Sequence, residues 1–515
     1  MTYSFRTAGN HADNYPSSVM KAAFPQVRHL LTDTELICFI VPGAFSAAAC
    51  DALLTPAIKA QLRPAATHYP TYYRNNERCI VDSEALARQL FTVIEPMLPS
   101  ELPAEQPAGQ PWRLKQLNSR LRFCRYAAGQ YFHRHLDGMY HESETVQSRL
   151  TFMVYLNDAA DFSGGRTLFY RNKDDAQVWA EYHPAKGDLI VFDHRLWHEG
   201  EQLEAGEKYV LRSDILYETT PQPVPQSVPF APGHLGYIWQ VLPFGEELLS
   251  AGRDKLIKVW GRTGELRQHL AGHQNSILSL CQLNAQTLLS GSRDMTVKVW
   301  GRDAQGFTLR RSLDLHPATI LSLHRLTDQL FVSTAADGLI KISDELGQVH
   351  HSLAGHTDWV WQAVPVAAEL LVSSSEDGTL RLWNWRRNTG LQCIGHGLPP
   401  AHALLFDPEQ RRLLAGNYAG QIQIWQADAS LQHWEVLTTL AAHHGIVRTL
   451  TLLPDGRLVS GGEDSKVKVW DLATGTCQQE MAHNDFVQST AWLRESRQLI
   501  SASYDGRLSI WALPA

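Results

Sequence analysis

The sequence predicts a mainly-β chain in two parts: a jelly-roll barrel with flanking helices over residues 1–219, then a seven-bladed propeller over residues 233–515. The C-terminal half repeats every 40 to 45 residues, a period typical of propellers with four strands per blade. The N-terminal part has short β-rich runs separated by Gly and Asn, which favours a barrel. A Pro-rich segment, 220–232, separates the two parts.

Bulk composition indicates a packed globular protein. Its 515 residues are 44% hydrophobic and 19% charged, with a net charge of −7 and no long Lys/Arg run, so we expect no nucleic-acid partner. The N-terminus lacks a signal-peptide pattern, and the apolar run 36–41 is too short to cross a membrane. Seven cysteines without CxxC spacing argue against disulfides or zinc, and favour a reducing, cytoplasmic compartment.

The repeats share four polar or aromatic positions. Each unit ends a strand at one common position: Trp260, Trp300, Ser343, Trp383, Trp425, Trp470 and Trp511. Six units place an Asp six residues earlier: Asp254, Asp294, Asp337, Asp377, Asp464 and Asp505. A Ser lies four residues before each Asp, and a His opens the same six units. One set repeated six times indicates buried, hydrogen-bonded structural groups, because a catalytic site would occur once.

This pattern resembles the WD40 family over about 233–515. The third unit has Ser343 in place of Trp, and the fifth has Ala415 and Ala419 where Ser and Asp are expected, with His396 as its opening His. We therefore expect these two units to keep their strands but lack the full His–Ser–Asp–Trp network. The last unit lacks an outer strand, which residues 222–230 would supply; the alternative is a semi-rigid polyproline spacer.

A candidate metal site begins at His135-Leu136-Asp137. The chain contains four His-x-Asp triplets, and only this one is flanked by segments that fit a metal site. It is preceded by 125-RYAAGQYF-132 and followed by the strand 148-SRLTFMVYLN-157, by 164-GGRTLF-169 and by 184-PAKGDLIVF-192; His198-Glu199-Gly200 and Lys208 close the set. Two His and one carboxylate hold iron(II) on one face and leave positions open.

In order and spacing these segments, with the upstream run 73-YRNNER-78 and Asn118, resemble the prolyl 4-hydroxylase-like branch of the 2-oxoglutarate dioxygenases over about 35–218. The resemblance implies that His135, Asp137 and His198 bind Fe(II), and that Lys208 and Tyr126 bind the distal carboxylate of 2-oxoglutarate. It also implies O2 as cosubstrate and ascorbate as an optional reductant. Ala/Leu content and apolar spacing predict helices over 45–63 and 83–97, and the resemblance implies that they pack beside the barrel. A carboxylate at position 137 favours hydroxylation over halogenation.

The strand around Lys208 gives independent support. By the two-residue period, Lys208, Val210, Arg212 and Asp214 share one face of that strand. Cations inside a barrel are costly without an anion, and a dicarboxylate supplies one. Arg212 is thus the alternative anchor, with Asp214 as its neutralising neighbour. His133 and His194 are the rival metal ligands, but neither has the neighbours that mark His135 and His198.

The predicted function is hydroxylation of a protein or peptide side chain, with proline the first guess, on a partner recruited by the propeller. Two alternatives stay open. One is an oxygenase of a small molecule or free amino acid, with the propeller as an assembly platform. The other is a non-enzymatic interaction protein with a decayed oxygenase domain, against which the complete set of four site residues counts.

Overall fold

A computed structural model describes residues 26–65, 74–103, 110–143, 145–172, 175–220, 229–494 and 496–513. The chain divides into two compact units that meet near residue 222. Each unit is described by itself below. No helix in these described ranges is long and apolar enough to cross a membrane.

The helices of the N-terminal unit lie near its start. They are α1 (Ala47–Leu53), α2 (Pro56–Ala60) and α3 (Glu84–Ile94), with short 3-10 turns at Glu95–Met97 and Ala159–Asp161. Ser46, Thr55 and Ser83 cap the three helices by accepting backbone N–H bonds. The helix expected over 45–63 is divided in two, because Pro56 cannot continue α1 and instead occupies the first turn of α2.

Fifteen strands of the described N-terminal residues form two sheets. The strands are β1 (Arg28–His29), β2 (Cys38–Val41), β3 (Arg63–Pro64), β4 (Glu77–Asp82), β5 (Glu101–Leu102), β6 (Trp112–Leu117), β7 (Arg120–Ala127), β8 (Phe132–His135), β9 (Val146–Tyr155), β10 (Phe162–Gly164), β11 (Thr167–Tyr170), β12 (Ala180–Tyr182), β13 (Leu189–Asp193), β14 (Trp197–Gly200) and β15 (Leu203–Glu218). The larger sheet runs β1-β2-β13-β9-β15-β7-β4-β3, with β5, β6 and β10 off this path. The smaller sheet runs β12-β11-β14-β8.

Strand β15 separates two environments. Tyr209 and Leu211 lie in the apolar core that also contains residues of α1 and α3. Lys208 and Arg212 alternate with these two residues along the strand, and they line a cavity together with residues of the smaller sheet. The predicted two-residue alternation along this strand is therefore confirmed, and it presents cations to the space between the sheets.

The C-terminal unit contains seven successive antiparallel sheets. The first four are β16 (Ile238–Phe244), β17 (Glu247–Gly252), β18 (Leu256–Trp260) and β19 (Leu266–Ala271); β20 (Ile277–Asn284), β21 (Thr287–Ser292), β22 (Val297–Asp303) and β23 (Gly306–Leu313); β24 (Ile320–Arg325), β25 (Leu330–Ala335), β26 (Ile340–Asp344) and β27 (Val349–Leu353); and β28 (Val360–Pro365), β29 (Leu370–Ser375), β30 (Leu380–Asn384) and β31 (Thr389–Gly395).

The remaining three sheets are β32 (Ala401–Asp407), β33 (Arg412–Asn417), β34 (Gln421–Ala427) and β35 (Trp434–Ala441); β36 (Val447–Leu452), β37 (Leu458–Gly462), β38 (Lys466–Asp471) and β39 (Thr476–Ala482); and β40 (Val487–Leu493), β41 (Gln498–Ser503) and β42 (Leu508–Trp511). The first strand of each sheet packs beside the first strand of the next, and β16 packs beside β40. The sheets therefore close into a ring around their first strands.

The repeated polar residues form buried networks. In the second sheet, Trp300 Nε1 donates to Ser290 Oγ at 2.8 Å, and His273 bridges Ser290 (2.7 Å) and Asp294 (2.8 Å). The same four-residue network joins the corresponding side chains of the first, fourth and sixth sheets. The structural interpretation of these Ser, His and Asp residues is confirmed.

The two divergent units keep four strands each but lose parts of the network. In the described part of the chain, neither Ser343 Oγ nor Trp425 Nε1 has a hydrogen-bond partner, although both are buried. His316, Ser333 and Asp337 still bond in the third unit, whereas His396 is exposed in the fifth. The predicted loss is confirmed, and His396 does not act as a buried opening histidine.

Two buried serines test the value of this network. Ser290→Ala leaves Trp300 Nε1 and His273 Nε2 without their partner, so it should lower the free energy of unfolding by about 2–4 kcal/mol. Ser343→Ala removes a hydroxyl that has no partner among the described residues, so it should be neutral or slightly stabilising. Urea unfolding followed by tryptophan fluorescence measures both, and equal losses would contradict the network's role.

The predicted closing strand falls largely outside the described residues, since 221–228 are not described. The last sheet has three strands among the described residues. Phe230 packs edge-to-face on Trp260 at 5.6 Å, and its N–H donates to the Gly264 carbonyl at 2.8 Å. Closure of the ring by residues 222–230 stays a prediction.

Candidate metal centre

Three predicted ligands meet on the smaller sheet. His135 ends β8 and lies opposite His198 of β14 in the strand register, and Asp137 follows β8 by two residues. One ligand atom from each of these side chains lies within 4.8 Å of the other two, and all three residues are buried. Elsewhere among the described residues, no other group of His, Cys, Asp or Glu meets this description.

Backbone carbonyls fix the orientation of both imidazoles. His135 Nδ1 lies 2.6 Å from the carbonyl oxygen of His133, and His198 Nδ1 lies 2.9 Å from that of Leu196. Each Nδ1 therefore carries the hydrogen, and each Nε2 turns its lone pair toward Asp137, at 3.6 and 3.7 Å. A hydrogen bond from Nδ1 to a backbone carbonyl fixes the ring so that Nε2 can ligate a metal.

The protonation states also suit a cation. Burial lowers the pKa of His135, and it lowers that of His198 to about 3, so both rings are neutral. Burial alone would raise the pKa of Asp137, but the charge of Arg212 outweighs it and holds that pKa well below its usual range. Metal ligation requires neutral imidazoles and an ionised carboxylate. The residues therefore fit iron(II), one face of which they would occupy.

Two groups bind the carboxylate of Asp137 directly. The Thr151 hydroxyl donates to Oδ2 at 2.5 Å, and Arg212 Nη2 donates to Oδ1. The hydrogen-bonded partner of Arg212 is thus Asp137, while the nearby charge of Asp214 also raises the pKa of Arg212, as expected of a neutralising neighbour. Asp214 itself accepts from Asn118 Nδ2 (3.0 Å) and pairs with Arg122 (3.2 Å) of the adjacent strand β7.

Lys208 lies deeper in the same cavity. Its side chain is buried, its Nζ donates to the Gly165 carbonyl at 2.5 Å, and it lies 5.0 Å from the centre of the Tyr126 ring. Burial lowers its pKa to about 8. Gly165 has a φ of 69°, and a Cβ there would meet Leu203 Cδ1 at 2.6 Å, so a glycine is required beside this lysine.

Arg74 completes the cationic lining, and no role was predicted for it from the sequence. Its guanidinium lies 4.1 Å above the Phe132 ring, and its Nε donates to Asn76 Oδ1 at 2.9 Å. Burial raises the pKa of the Tyr126 phenol to about 12, and the nearby charge of Arg74 opposes that rise. A phenol that keeps its proton can donate its O–H to an acceptor in the cavity.

The space between the lining side chains of the cavity, including open solvent at its mouth, is about 470 Å³. Its lining includes Arg74, Tyr126, His135, His198, Lys208 and Arg212, with apolar walls from Phe132, Met153 and Val210. Of the predicted site residues, all but Asp137 thus line one cavity, and Asp137 bonds to Arg212 at its edge.

The rival ligands lie apart from this group. His133 is exposed, and its ring packs at a tilt against Tyr131, with 4.5 Å between the ring centroids. His194 is buried, but it does not join the three ligand atoms, and neither of its ring nitrogens has a partner among the described residues. The geometry therefore favours the three residues that the family resemblance implies.

Comparison with known families agrees with both halves of the chain. Residues 121–213 match the 2OG-Fe(II) oxygenase superfamily. Five segments match the WD domain, G-beta repeat: 226–261, 264–301, 347–384, 434–471 and 475–512. The gaps between them contain the third and fifth units, those with Ser343 and Ala415, so the residues that weaken the network also weaken the match.

Similarity to curated proteins is confined to part of each chain. The WD repeat and FYVE domain-containing protein 1 of Mus musculus is 26% identical over 203 residues, which is 38% of this chain and 49% of that protein. The nuclear distribution protein PAC1-2 of Uncinocarpus reesii is 29% identical over 290 residues, 48% of this chain and 62% of that protein. The chain thus spans less than two thirds of these relatives.

Among solved structures, the WD40 beta propeller domain of Doa1 is similar with a TM-score of 0.49 and 22% identity, over 55% of this chain and 95% of that one.

Proposed function

The chain joins a 2OG-Fe(II) oxygenase domain to WD40 repeats, and on that premise we propose that it is an Fe(II)- and 2-oxoglutarate-dependent hydroxylase of a protein or peptide side chain. The observation that carries this proposal is the buried His135–Asp137–His198 group beside a cavity with cationic walls. Proline is the first residue to examine as the target. Ascorbate would be an accessory reductant.

Iron(II), 2-oxoglutarate and O2 together would supply the oxidant that converts a C–H bond to C–OH, with succinate and CO2 as coproducts. His135, Asp137 and His198 would hold the metal by one face. Lys208 would pair with the distal carboxylate of the cosubstrate, and Tyr126 would donate a hydrogen bond to it. Arg212 would keep Asp137 ionised and in place.

The WD40 repeats support a macromolecular substrate. WD40 repeats generally mediate contacts between proteins, and a covalently joined binding module raises the effective concentration of a captured partner at the catalytic domain. On this proposal the oxygenase domain covers residues 1–219, the linker 220–232 and a seven-bladed propeller 233–515. The two facing sheets and the ring of seven sheets support a jelly-roll and a seven-bladed assignment.

The proposed compartment is cytoplasmic. All seven cysteines are free thiols, and five of them are buried. A chain with this many unpaired thiols suits a reducing environment.

The proposal is tested by incubating the full-length protein with Fe(II), 2-oxoglutarate and isotopically heavy O2 in a lysate of the source organism. Mass spectrometry should then find one heavy oxygen added to a protein side chain. His135→Ala should abolish the addition, because it removes a metal ligand. His183→Ala, an exposed histidine of the same domain, is the matched control and should retain it.

Two other outcomes would replace the proposal. A heavy oxygen found only on a small molecule would assign the activity to a metabolite oxygenase. No addition in either pool, together with no iron bound by the wild-type protein, would leave an interaction protein with a decayed oxygenase domain.

A further inference from the structure

The inner strands of the ring share one backbone feature but differ in the side chain that it presents. Each of the seven first strands has a β-bulge directly after its first residue pair. The bulged residues are Trp239, Leu278, Leu321, Trp361, His402, Arg448 and Gln488. Bulges re-aim side chains and are common beside binding sites. Because the backbone feature repeats while the residues differ, their chemistry is free to define a ligand site.

A second variable position lies next to the bulges. It is the residue that precedes the Asp position of each unit: Arg253, Arg293, Ala336, Glu376, Tyr418, Glu463 and Tyr504. Contacts between the two sets cross from one sheet to the next, as between Trp239 and Tyr504 (5.4 Å) and between Trp361 and Tyr418 (6.3 Å). The two sets therefore lie at one level of the ring.

Three of these residues, Trp361, Glu376 and Tyr418, form what we call the Glu376 cluster. Trp361 Nε1 donates to Glu376 Oε2 at 2.8 Å. The Trp361 ring lies between His402 (4.7 Å) and Tyr418, and all three of these rings are partly exposed. Glu376 itself is 8% exposed, and its Oε1 has no hydrogen-bond partner in the described part of the chain. The cluster thus places a buried carboxylate oxygen between aromatic walls.

Arg448, a cation near Glu376, already pairs with other side chains. Arg448 forms an ion pair with Glu463, and its Nη1 also bonds to His402 Nε2 at 3.1 Å. Within the described ranges, Glu376 has no ion pair with a basic side chain. Arg448 acts on it only at a distance, whereas burial is the main influence and raises the pKa of Glu376 to about 7.

An incompletely bonded buried carboxylate costs free energy unless a cation or donor reaches it. Aromatic faces beside that carboxylate add cation–π attraction, which is stronger when the cation is partly desolvated. A carboxylate and two aromatic rings therefore select a positively charged side chain over a neutral or acidic one. The Trp361 N–H fixes the carboxylate in advance, so little ordering is left for the ligand to induce.

We propose that the Glu376 cluster binds a basic side chain, lysine or arginine, presented by a peptide at this face of the WD40 ring. The proposal does not depend on the oxygenase activity, because the Glu376 cluster contains no side chain from positions 1–219. It names the chemistry by which the ring would select a partner: a peptide with an accessible basic residue.

The test uses the full-length protein and fluorescein-labelled tetra-arginine amide, with fluorescence anisotropy at physiological ionic strength. Labelled tetra-glutamate should not bind. Glu376→Gln keeps the shape and the bond from Trp361 but removes the charge, so it should weaken tetra-arginine binding at least about tenfold. Glu246→Gln removes the same charge from an exposed site of the ring, and should change the affinity less than about twofold.

Equal losses of affinity in the two variants would overturn the proposal. Binding would then be explained by the general attraction of a basic peptide to an acidic protein. The absence of wild-type binding at millimolar peptide would also overturn the proposal. Tyr418→Leu provides a second variant and should weaken binding about fivefold by removing one aromatic wall. Crystals of the wild-type protein soaked with tetra-arginine amide give a readout without any variant: the guanidinium should contact Glu376, and a guanidinium bound elsewhere would refute the site.

Discussion

Replacing Asp137 with asparagine should lower iron(II) affinity by on the order of a hundredfold or more and abolish 2-oxoglutarate turnover. Asp137 is the one anion among the three proposed ligands, and an amide cannot offset the charge of the metal. The substitution also leaves the Arg212 guanidinium without its carboxylate partner. Anaerobic competition with a chelating dye measures the affinity, and succinate release measures turnover.

The chain offers a matched control in Asp214. Asp214 is also a buried carboxylate near Arg212, but its hydrogen bonds go to Asn118 and Arg122. Asp214→Asn should therefore leave iron affinity within a few-fold of wild type, whatever its effect on stability. If both asparagine variants lose iron to the same degree, the loss reports damage to the barrel, and the assignment of Asp137 as a ligand fails.

The three proposed ligands were expected because the segments around them resemble the prolyl 4-hydroxylase-like branch of the 2-oxoglutarate dioxygenases. A strand that ends at His135 places Asp137 two residues later, on the loop beside it. His198 was more distant, yet its Glu-Gly neighbours and the lysine ten residues later marked it. What the sequence could not specify was the register between β8 and β14, which sets His135 opposite His198. Such pairing depends on packing of the whole sheet.

Arg74 and Arg212 show more clearly which contacts could not be predicted from the sequence. The pattern along β15 placed Arg212 and Asp214 on one face, and two residues so close in sequence were natural partners. A two-residue separation on a strand puts their Cα atoms about 7 Å apart, and each side chain hydrogen-bonds a residue of another element: Asp137 for Arg212, and Arg122 of the adjacent strand β7 for Asp214. Arg74 contacts Cys124 of β7, which is 50 residues away in sequence. Only the folded sheet brings Arg74 beside Tyr126 of the same strand and beside Phe132.

In the repeats, by contrast, the sequence predicted even the defects. A missing Trp at 343 and a missing Ser at 415 remove one partner from a network whose geometry the other units define. The side chains left behind, Ser343 and Trp425, are buried without partners in the described part of the chain. The strands persist because apolar packing, not the network, carries most of the folding free energy.

Lys208→Gln should raise the KM for 2-oxoglutarate roughly 10- to 150-fold while leaving iron affinity unchanged. The substitution removes a buried cation that would pair with the distal carboxylate, and it does not touch the three proposed metal ligands. Arg212→Gln is the matched comparison, because Arg212 was the alternative anchor. Since Arg212 bonds to Asp137, that variant should weaken iron binding more than cosubstrate binding. The reverse ranking would make Arg212 the anchor.

The pH dependence of cosubstrate affinity tests the same lysine without removing it. Burial lowers the pKa of Lys208 to about 8, and the protonated ammonium is the form that pairs with a carboxylate. Affinity for 2-oxoglutarate should therefore be constant below that value and fall as the pH rises through it. In Lys208→Arg the guanidinium stays charged, so whatever affinity remains should not vary between about pH 7 and pH 9. A wild-type affinity that is equally flat over this interval would mean that Lys208 does not pair with the cosubstrate.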